Sequence, residues 1–458
     1  MIFLKKKRFR IAACLFTLIL LFAAMPQPAT AEGTQAQNLT TGAVMTLNGT
    51  EAGVSGIKDG AYTSKVSCKA GDTLNISADT EIWSIYLIFD RAPEKYTVES
   101  GGQIQACGLS GFLHEVVRPT TPSKEITITL PESILCDVSV YAKGTLPSSV
   151  QDWNAPYDDC DMLLLPTHAD DEHIFFGGIM PYYAGEKGMK VQVAYLTNHW
   201  GEPYRPHELL NGLWEVGIRA YPIISEFPDY YSKALDHAKT LYDTNDVLAY
   251  EVELLRRFKP EVVIDHDING EYGHGVHMLN TWILQQAVEQ SGDAQYFPES
   301  ARKYGTFDVQ KTYLHLYPEN ELIMDVDTPL TAFGGKTAYE MAVSGFAKHT
   351  SQQKWFSVEK SGKYDCRKFG LYRTTVGPDS GIGDFFENVT FSDAPEPEPS
   401  EPEESGVESS ESSQDESSEL TDKENASISP LHLTLMIAGA AVLVALIVWF
   451  AARRNKKK

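Results

Sequence analysis

Imidazole and carboxylate side chains occur together at two places in the sequence, and each place follows a short apolar run. The first is His-Ala-Asp-Asp-Glu at residues 168–172, and the second is Gly-Glu-Tyr-Gly-His-Gly-Val-His at residues 270–277. Burying such groups at a strand end is costly unless a counter-charge is present, and a divalent metal ion supplies one. Two histidines and one carboxylate, with a fourth position left open, are a typical ligand set for catalytic zinc. The sequence therefore predicts a zinc hydrolase.

The segment at residues 168–172 resembles the signature of the PIG-L/LmbE-like deacetylases, a family that removes N-acetyl groups from glucosamine-type sugars. That family usually has His-Pro-Asp-Asp-Glu after its first strand and His-x-x-His near the end of a later one, here His274 and His277. Ala169 replaces the proline, a change that removes no ligand. Further matches are Arg205, Glu208 and residues 336–352, so the resemblance covers residues 158–355.

The resemblance implies a role for five of these side chains. It implies that His168, Asp171 and His277 bind Zn²⁺, with another divalent metal such as Fe²⁺ as the alternative. Asp170 is expected to be the general base that takes a proton from a metal-activated water, although a helix N-cap is its alternative role. His274 is expected to face the developing oxyanion or protonate the leaving amine, as a cation beside the metal, unless it is an ordinary turn histidine.

Three further side chains are candidates for binding substrate. Arg205 has a guanidinium fork that suits sugar hydroxyls or a phosphate, but a surface salt bridge with Glu208 explains it equally well. Tyr272 and Trp200 could each stack on a pyranose face, or each could belong to the core. Glu172 is expected to be structural, because a carboxylate at a helix start is favoured by the helix dipole.

From residue 161 onward, apolar runs that suit strands alternate with helical patterns. This alternation predicts an α/β fold, a Rossmann-like parallel sheet with helices on both faces, for a PIG-L-like deacetylase domain at residues 151–391. Ligands of such sheets bind at the carboxyl ends of the strands. His168, Asn198 and His266 each follow a predicted strand, so we expect them at one edge of the sheet.

Residues 32–150 have a different pattern. Apolar and polar residues alternate, as in the run from Ile126 to Leu130, and no long helical period occurs. We predict a small β-sandwich that precedes the α/β domain. By analogy it is a carbohydrate-binding module, and a structural spacer is the alternative.

The two ends of the chain have the composition of targeting and anchoring segments. Residues 1–31 combine a basic start, an apolar run and small residues, which predicts a secretory signal peptide. Residues 392–430 are rich in Ser, Glu and Pro, which predicts a disordered acidic stalk. Residues 431–452 predict a single transmembrane helix, and the basic residues 453–458 predict a cytoplasmic tail. We therefore expect a single-pass cell-membrane protein with an extracellular N-terminus and catalytic domain.

The net charge and the cysteines limit the remaining options. A formal net charge of −23 repels nucleic acid and other polyanions, which favours a neutral or zwitterionic substrate unless the acidity serves solubility alone. The cysteines beyond the signal segment form an odd, sparse set and lack the close spacing of a zinc site. They leave room for one disulfide among the first four: Cys68, Cys107, Cys136 and Cys160.

These observations predict a metal-dependent N-deacetylase that acts outside the cell on N-acetylglucosamine-type sugars, in a surface glycan or a glycolipid. Two alternatives remain: a catalytically silent sugar-binding surface protein, and a zinc amidase for another N-acyl substrate. The expected partners are an N-acetylated sugar and the membrane, and the sequence implies neither nucleic acid nor a protein partner.

Overall fold

The computed structural model describes residues 34–51, 53–381 and 383–391. The predicted signal peptide, stalk, transmembrane helix and basic tail lie outside these residues, so their prediction is not tested by the structure. Within the described part of the chain, no helix combines the length and the apolar character needed to cross a membrane.

The N-terminal part consists of two antiparallel sheets. Its strands are β1 (Val44–Leu47), β2 (Val66–Cys68), β3 (Thr73–Ile82), β4 (Ser84–Phe89), β5 (Tyr96–Ser100), β6 (Gln103–Cys107), β7 (His114–Val117), β8 (Ser123–Thr129) and β9 (Ser133–Tyr141). One sheet has the order β1-β3-β8-β5-β6 and the other β2-β9-β4-β7. Alternate residues such as Leu74, Ile126, Leu87 and Val138 form the core that both sheets share. The predicted β-sandwich is confirmed.

The C-terminal part is built on a seven-stranded sheet of order β12-β11-β10-β13-β14-β16-β15. Its strands are β10 (Met162–Leu164), β11 (Val191–Tyr195), β12 (Ile223–Ile224), β13 (Val262–Asp265), β14 (Lys311–His315), β15 (Glu321–Ile323) and β16 (Lys368–Thr374). The first five strands in this order are parallel, whereas β16 pairs antiparallel with both β14 and β15. The α/β class is confirmed, but the sheet is mixed, because β16 lies between β14 and β15 and runs antiparallel to both.

Helices cover both faces of this sheet. They are α1 (Asp171–Ile174), α2 (Arg205–Glu215), α3 (Leu235–Leu241), α4 (Thr244–Phe258), α5 (Gly275–Gln290), α6 (Pro298–Tyr304) and α7 (Ala338–Phe346), with a π-helical segment at Met180–Glu186. Successive strand residues enter two different cores: Leu164 and Ile264 lie in one, and Leu163 and Val263 in the other. Burial of both strand faces explains why the strands are continuously apolar.

The β-sandwich packs against the α/β part through buried aromatic and imidazole side chains. The rings of Phe112 and Tyr221 stack at a centroid distance of 4.3 Å, and Leu113 N donates to Tyr221 Oη at 3.1 Å. His114 Nε2 and His207 Nδ1 lie 2.8 Å apart, and both rings are buried. The two parts thus share a buried interface with specific hydrogen bonds and a ring stack.

This interface predicts a loss of stability in mild acid. Burial lowers the pKa of His207 to about 4, with nearby Asp90 and Lys65 acting in opposite directions, and burial lowers the pKa of His114 well below its ordinary value. The unfolded chain takes up protons near pH 6.5 while the folded imidazoles stay neutral, so stability falls as pH drops below 6.5. For His207 alone we expect a loss of roughly 2 kcal/mol at pH 5, measurable by denaturant unfolding.

The variant His207→Asn should flatten the slope of stability against pH between about pH 6.5 and pH 5. The matched variant His237→Asn changes an exposed histidine and should keep the wild-type slope. A wild-type slope in His207→Asn would contradict a buried neutral imidazole at this interface.

The five cysteines within the described residues, Cys68, Cys107, Cys136, Cys160 and Cys366, are all free and buried. The disulfide that the sequence left open among the first four is therefore not formed. These thiols behave as small apolar core side chains.

Candidate active site

The loops that follow β10, β11 and β13 meet at the carboxyl edge of the parallel strands. His168 lies on the loop after β10, Asp171 is the first residue of α1, and His277 lies in the first turn of α5. All three side chains are buried. The fold thus brings together side chains more than a hundred positions apart in sequence, as expected for this edge of an α/β sheet.

Three donor atoms of these residues form a compact triangle. His168 Nδ1 lies 3.0 Å from His277 Nε2 and 3.1 Å from Asp171 Oδ2, and His277 Nε2 lies 3.3 Å from Asp171 Oδ2. Metal–ligand bonds of 2.0–2.2 Å in a tetrahedral site imply ligand separations of about 3.3 Å. The three predicted ligands therefore fit one divalent ion.

The electrostatics of the site also favour a cation. Burial lowers the pKa of His168, but hydrogen bonds and charge from Asp171 and Asp229 raise it to about 9. Asp229 lies on the loop after β12, with its Oδ1 3.4 Å from His168 Nε2 and its Oδ2 3.4 Å from His199 Nδ1. Sequence reasoning placed only the surrounding loop at the pocket edge, because an isolated aspartate gives no signal before the fold is known.

Glu271 is a buried carboxylate that contacts three imidazoles. Its Oε2 accepts from His277 Nδ1 and from His266 Nδ1, each at 2.9 Å, and its Oε1 accepts from His315 Nδ1 at 2.6 Å. Burial alone would raise the pKa of Glu271, but these histidines hold it well below its usual range. A carboxylate behind a metal-binding histidine fixes its tautomer and orientation. The sequence assigned no role to Glu271.

Asp170 lies beside the donor triangle in a strained backbone conformation. Its φ is 124°, and its backbone N donates to Glu172 Oε2 at 2.8 Å. Asp170 occupies the N-cap position of α1, as the alternative role expected, but its side chain makes no capping hydrogen bond. Burial raises the pKa of Asp170 well above its ordinary value, and Arg205, whose Nη2 lies 3.5 Å from Asp170 Oδ1, opposes that shift. Such a carboxyl is suited to proton transfer.

His274 is the N-cap of α5, and its Nδ1 accepts from Val276 N at 3.3 Å. Its Nε2 must therefore carry the proton in the neutral ring. Burial, with His168 and His277 nearby, lowers the pKa of His274 to about 3. The expected cationic form is consequently not favoured here, and His274 is a neutral hydrogen-bond donor.

Arg205 is buried rather than on the surface. Its guanidinium donates to the carbonyl oxygen of Ala169 and faces Asp170. Glu208 does not pair with it; Glu208 instead accepts from Thr350 Oγ1 at 2.7 Å and from Ser351 Oγ at 2.6 Å. The proposed Arg205–Glu208 surface salt bridge is therefore wrong.

Tyr272 and Trp200 occupy different environments. Tyr272 is 45% exposed, has a φ of 59° and lines the pocket. Trp200 packs against the hydrophobic core of the α/β part and is not among the pocket-lining residues. The structure thus places Tyr272, but not Trp200, where a bound sugar would contact it.

The pocket above the donor triangle has a volume of 380 Å³. The candidate metal ligands, Asp170 and His274 lie at its base, together with Arg205 and Asp229. Side chains that the sequence did not identify complete the wall: Tyr231, Gln352 and Phe356. This volume is at the small end of the range for ligand pockets, about 300–1,000 Å³.

Comparison with known proteins agrees with this architecture. The family model PIG-L, GlcNAc-PI de-N-acetylase, matches residues 163–288. A 1D-myo-inositol 2-acetamido-2-deoxy-alpha-D-glucopyranoside deacetylase from Catenulispora acidiphila is 26% identical over 187 residues, which are 35% of this chain and 57% of that protein. Its counterpart in Geodermatophilus obscurus is 25% identical over 207 residues, 39% of this chain and 68% of that protein.

Among solved structures, N,N'-diacetylchitobiose deacetylase from Pyrococcus horikoshii aligns with a TM-score of 0.34 and 18% identity, over 44% of this chain and 74% of that one. This similarity is too weak to carry an argument about function. The chain spans 57% of the length of the first relative named above. Residues 163–288 are thus similar to the PIG-L family model, and the two deacetylases align with 35% and 39% of this chain.

Proposed function

We propose that this protein is a metal-dependent N-deacetylase that acts on an N-acetylglucosamine-type sugar. The observation that carries the proposal is the donor triangle of His168, Asp171 and His277, with Asp170 beside it at the base of an open pocket. A protein that merely binds sugar has no need of a buried base next to three metal ligands. The names of the relatives, which state deacetylation of a 2-acetamido sugar, support the same substrate class.

The residues around the pocket can perform amide hydrolysis in two proton transfers. A divalent ion held by the donor triangle would supply Lewis acidity toward the amide carbonyl and the attacking water. Asp170 takes a proton from the water as it attacks and passes that proton to the leaving amine. Arg205 holds the Asp170 carboxylate in place, and His274 Nε2–H donates to the oxygen on which negative charge develops.

The proposal also includes the class of substrate and the location of the enzyme. Tyr272 and Phe356, whose ring centroids are 5.1 Å apart, offer apolar surface to a pyranose ring. The net charge of −23 supports a neutral or zwitterionic glycan or glycolipid. The composition of residues 1–31 and 431–452 supports secretion and a single membrane anchor, with the catalytic domain outside the cell.

Removing the metal is expected to abolish turnover reversibly. The full chain should hold about one zinc or iron ion at the donor triangle. Dialysis against a chelator should end acetate release from N-acetylglucosamine oligomers, and returning Zn²⁺ or Fe²⁺ should restore it. The measurement is elemental analysis and acetate release on the same sample.

The other outcomes separate the alternatives. Bound metal without acetate release, but with hydrolysis of another N-acyl compound, would replace the sugar substrate with that compound. A chain that takes up no metal when zinc or iron is added would contradict the hydrolase and favour a silent sugar-binding protein.

A further inference from the structure

Most exposed aromatic side chains of the described residues either line the pocket or adjoin a lining residue in sequence. Six aromatic side chains are exposed within the described ranges, and all of them belong to the α/β part. Five either line the pocket or directly adjoin a lining residue in sequence, and we call these five the aromatic rim: Tyr204, Tyr230, Tyr231, Tyr272 and Trp355. The sixth, Tyr296, neither lines the pocket nor adjoins a lining residue. Such clustering of exposed apolar surface marks a binding surface.

Two members of the rim stand out by their exposure. Tyr231 is 68% exposed and Trp355 is 67% exposed. They come from separate loops: Tyr231 precedes α3, and Trp355 follows α7. Leaving two large rings in water is unfavourable unless a ligand covers them, since each ring presents a broad apolar face.

Both rings are held beside a hydrogen-bond donor. The ring of Tyr231 lies edge-on to His274, with centroids 5.3 Å apart, and Lys233 Nζ lies 6.0 Å from the Tyr231 centroid. Lys354 Nζ lies 4.7 Å from the ring centroid of Trp355. An aromatic face next to an ammonium group matches the two surfaces of a sugar, an apolar C–H face and an edge of hydroxyl groups.

The volume of the pocket limits how much of a glycan it can hold, and the rest of the glycan then covers the aromatic rim. A volume of 380 Å³ admits one acetylated sugar unit with its amide at the donor triangle. Any further unit of a glycan chain must leave the pocket through its mouth and pass over the rim. A free monosaccharide would fill the pocket and contact Tyr231 at its wall, but it would leave Trp355, which is not among the lining residues, uncovered.

Resting on the proposed deacetylase function, we propose that the aromatic rim binds the neighbouring units of an N-acetylated oligosaccharide or polysaccharide. The substrate is then an extended glycan rather than a single free sugar. Trp355 determines this preference, because it stacks on a unit that is not itself deacetylated, whereas Tyr231 also contacts the unit inside the pocket.

The test compares a soluble tetramer of N-acetylglucosamine with the monosaccharide, using the full chain loaded with metal. We expect wild type to have a kcat/KM for the tetramer at least tenfold above that for the monosaccharide, mainly through a lower KM. Trp355→Ala should reduce this tetramer preference by about tenfold, the equivalent of one well-stacked ring. The matched variant Tyr296→Ala, at an exposed tyrosine that does not line the pocket, should keep the wild-type preference.

Several results would overturn the proposal. One is equal loss on both substrates in Trp355→Ala, and another is a wild-type enzyme that does not prefer the tetramer. A third is rim-dependent binding to lipid vesicles without any effect on the tetramer, which would assign the rim to a membrane surface.

Failure of the proposed function is a separate outcome. If wild type releases no acetate from either substrate, calorimetric titration with the tetramer still tests the rim. If Trp355→Ala binds the tetramer about tenfold more weakly than wild type, glycan binding by the aromatic rim is supported even though no turnover is seen. If wild type does not bind the tetramer, the proposal that the aromatic rim binds a glycan is overturned.

Discussion

Replacing Asp170 with Asn is expected to lower kcat by a factor between about 10² and 10⁴, the usual contribution of a general base. The amide keeps the shape of the carboxyl but cannot accept the proton of the attacking water. Asn has the same size and branching as Asp, so it adds no steric strain to the backbone at the φ of 124°. Folding and metal content should therefore survive, and acetate release with elemental analysis on the same sample measures both.

The structure provides a matched control for this prediction. Asp159→Asn removes a carboxylate that is 55% exposed and pairs with Lys190 on the surface, so its activity should stay near wild type. Loss of metal together with activity in Asp170→Asn would instead assign Asp170 to the metal site. Retention of full activity would remove it from the mechanism.

Much of the site could be predicted from the sequence because the fold places strand-following loops together. His168 and Asp171 follow the parallel strand β10, and His277 lies in the helix that follows β13, so all three lie at the carboxyl edge of the sheet. The resemblance to the PIG-L/LmbE-like deacetylases identified these three as ligands, and the strand pattern placed them at one edge. Asp170 is also at this edge of the sheet, because it is adjacent in sequence to the candidate ligand Asp171.

The residues that sequence reasoning missed depend on contacts that no local pattern encodes. Asp229 follows a two-residue strand, and only the packing of its loop brings it within 3.4 Å of His168. Glu271 contacts His315, which lies on β14 and is 44 residues away in sequence. The neutral state of His274 likewise follows from burial beside His168, a quantity the sequence does not give.

Two features of the fold were also not predicted, because they too depend on long-range contacts. The antiparallel return of β16 next to β14 is a long-range pairing, and strand patterns do not specify their partners. The β-sandwich packs on the α/β part through His114 and His207, to which the sequence analysis assigned no role. Interfaces between domains carry little local signal because their residues look like ordinary core.

Replacing Glu271 with Ala is expected to weaken metal binding by about 10- to 100-fold and to destabilise the fold by roughly 3–5 kcal/mol. The change leaves the Nδ1–H groups of His266, His277 and His315 without the acceptor that each now uses, in a site closed to water. A metal-binding His277 that is free to rotate loses the orientation that the donor triangle requires. Metal affinity is measured by competition with a chromophoric chelator, and stability by denaturant unfolding.

Two further variants separate the loss of metal affinity from the loss of stability. Glu289→Ala removes a carboxylate that is 63% exposed and pairs with Arg373, and it should cost no more than about 1 kcal/mol. Glu271→Gln keeps one acceptor oxygen, so it should retain more stability than Glu271→Ala while still loosening His277. Metal affinity at the wild-type level in a folded Glu271→Gln would show that the carboxylate stabilises the core without orienting the ligand. A fall in affinity with little loss of stability would establish it as the group that positions His277, since a merely structural role would change the two together.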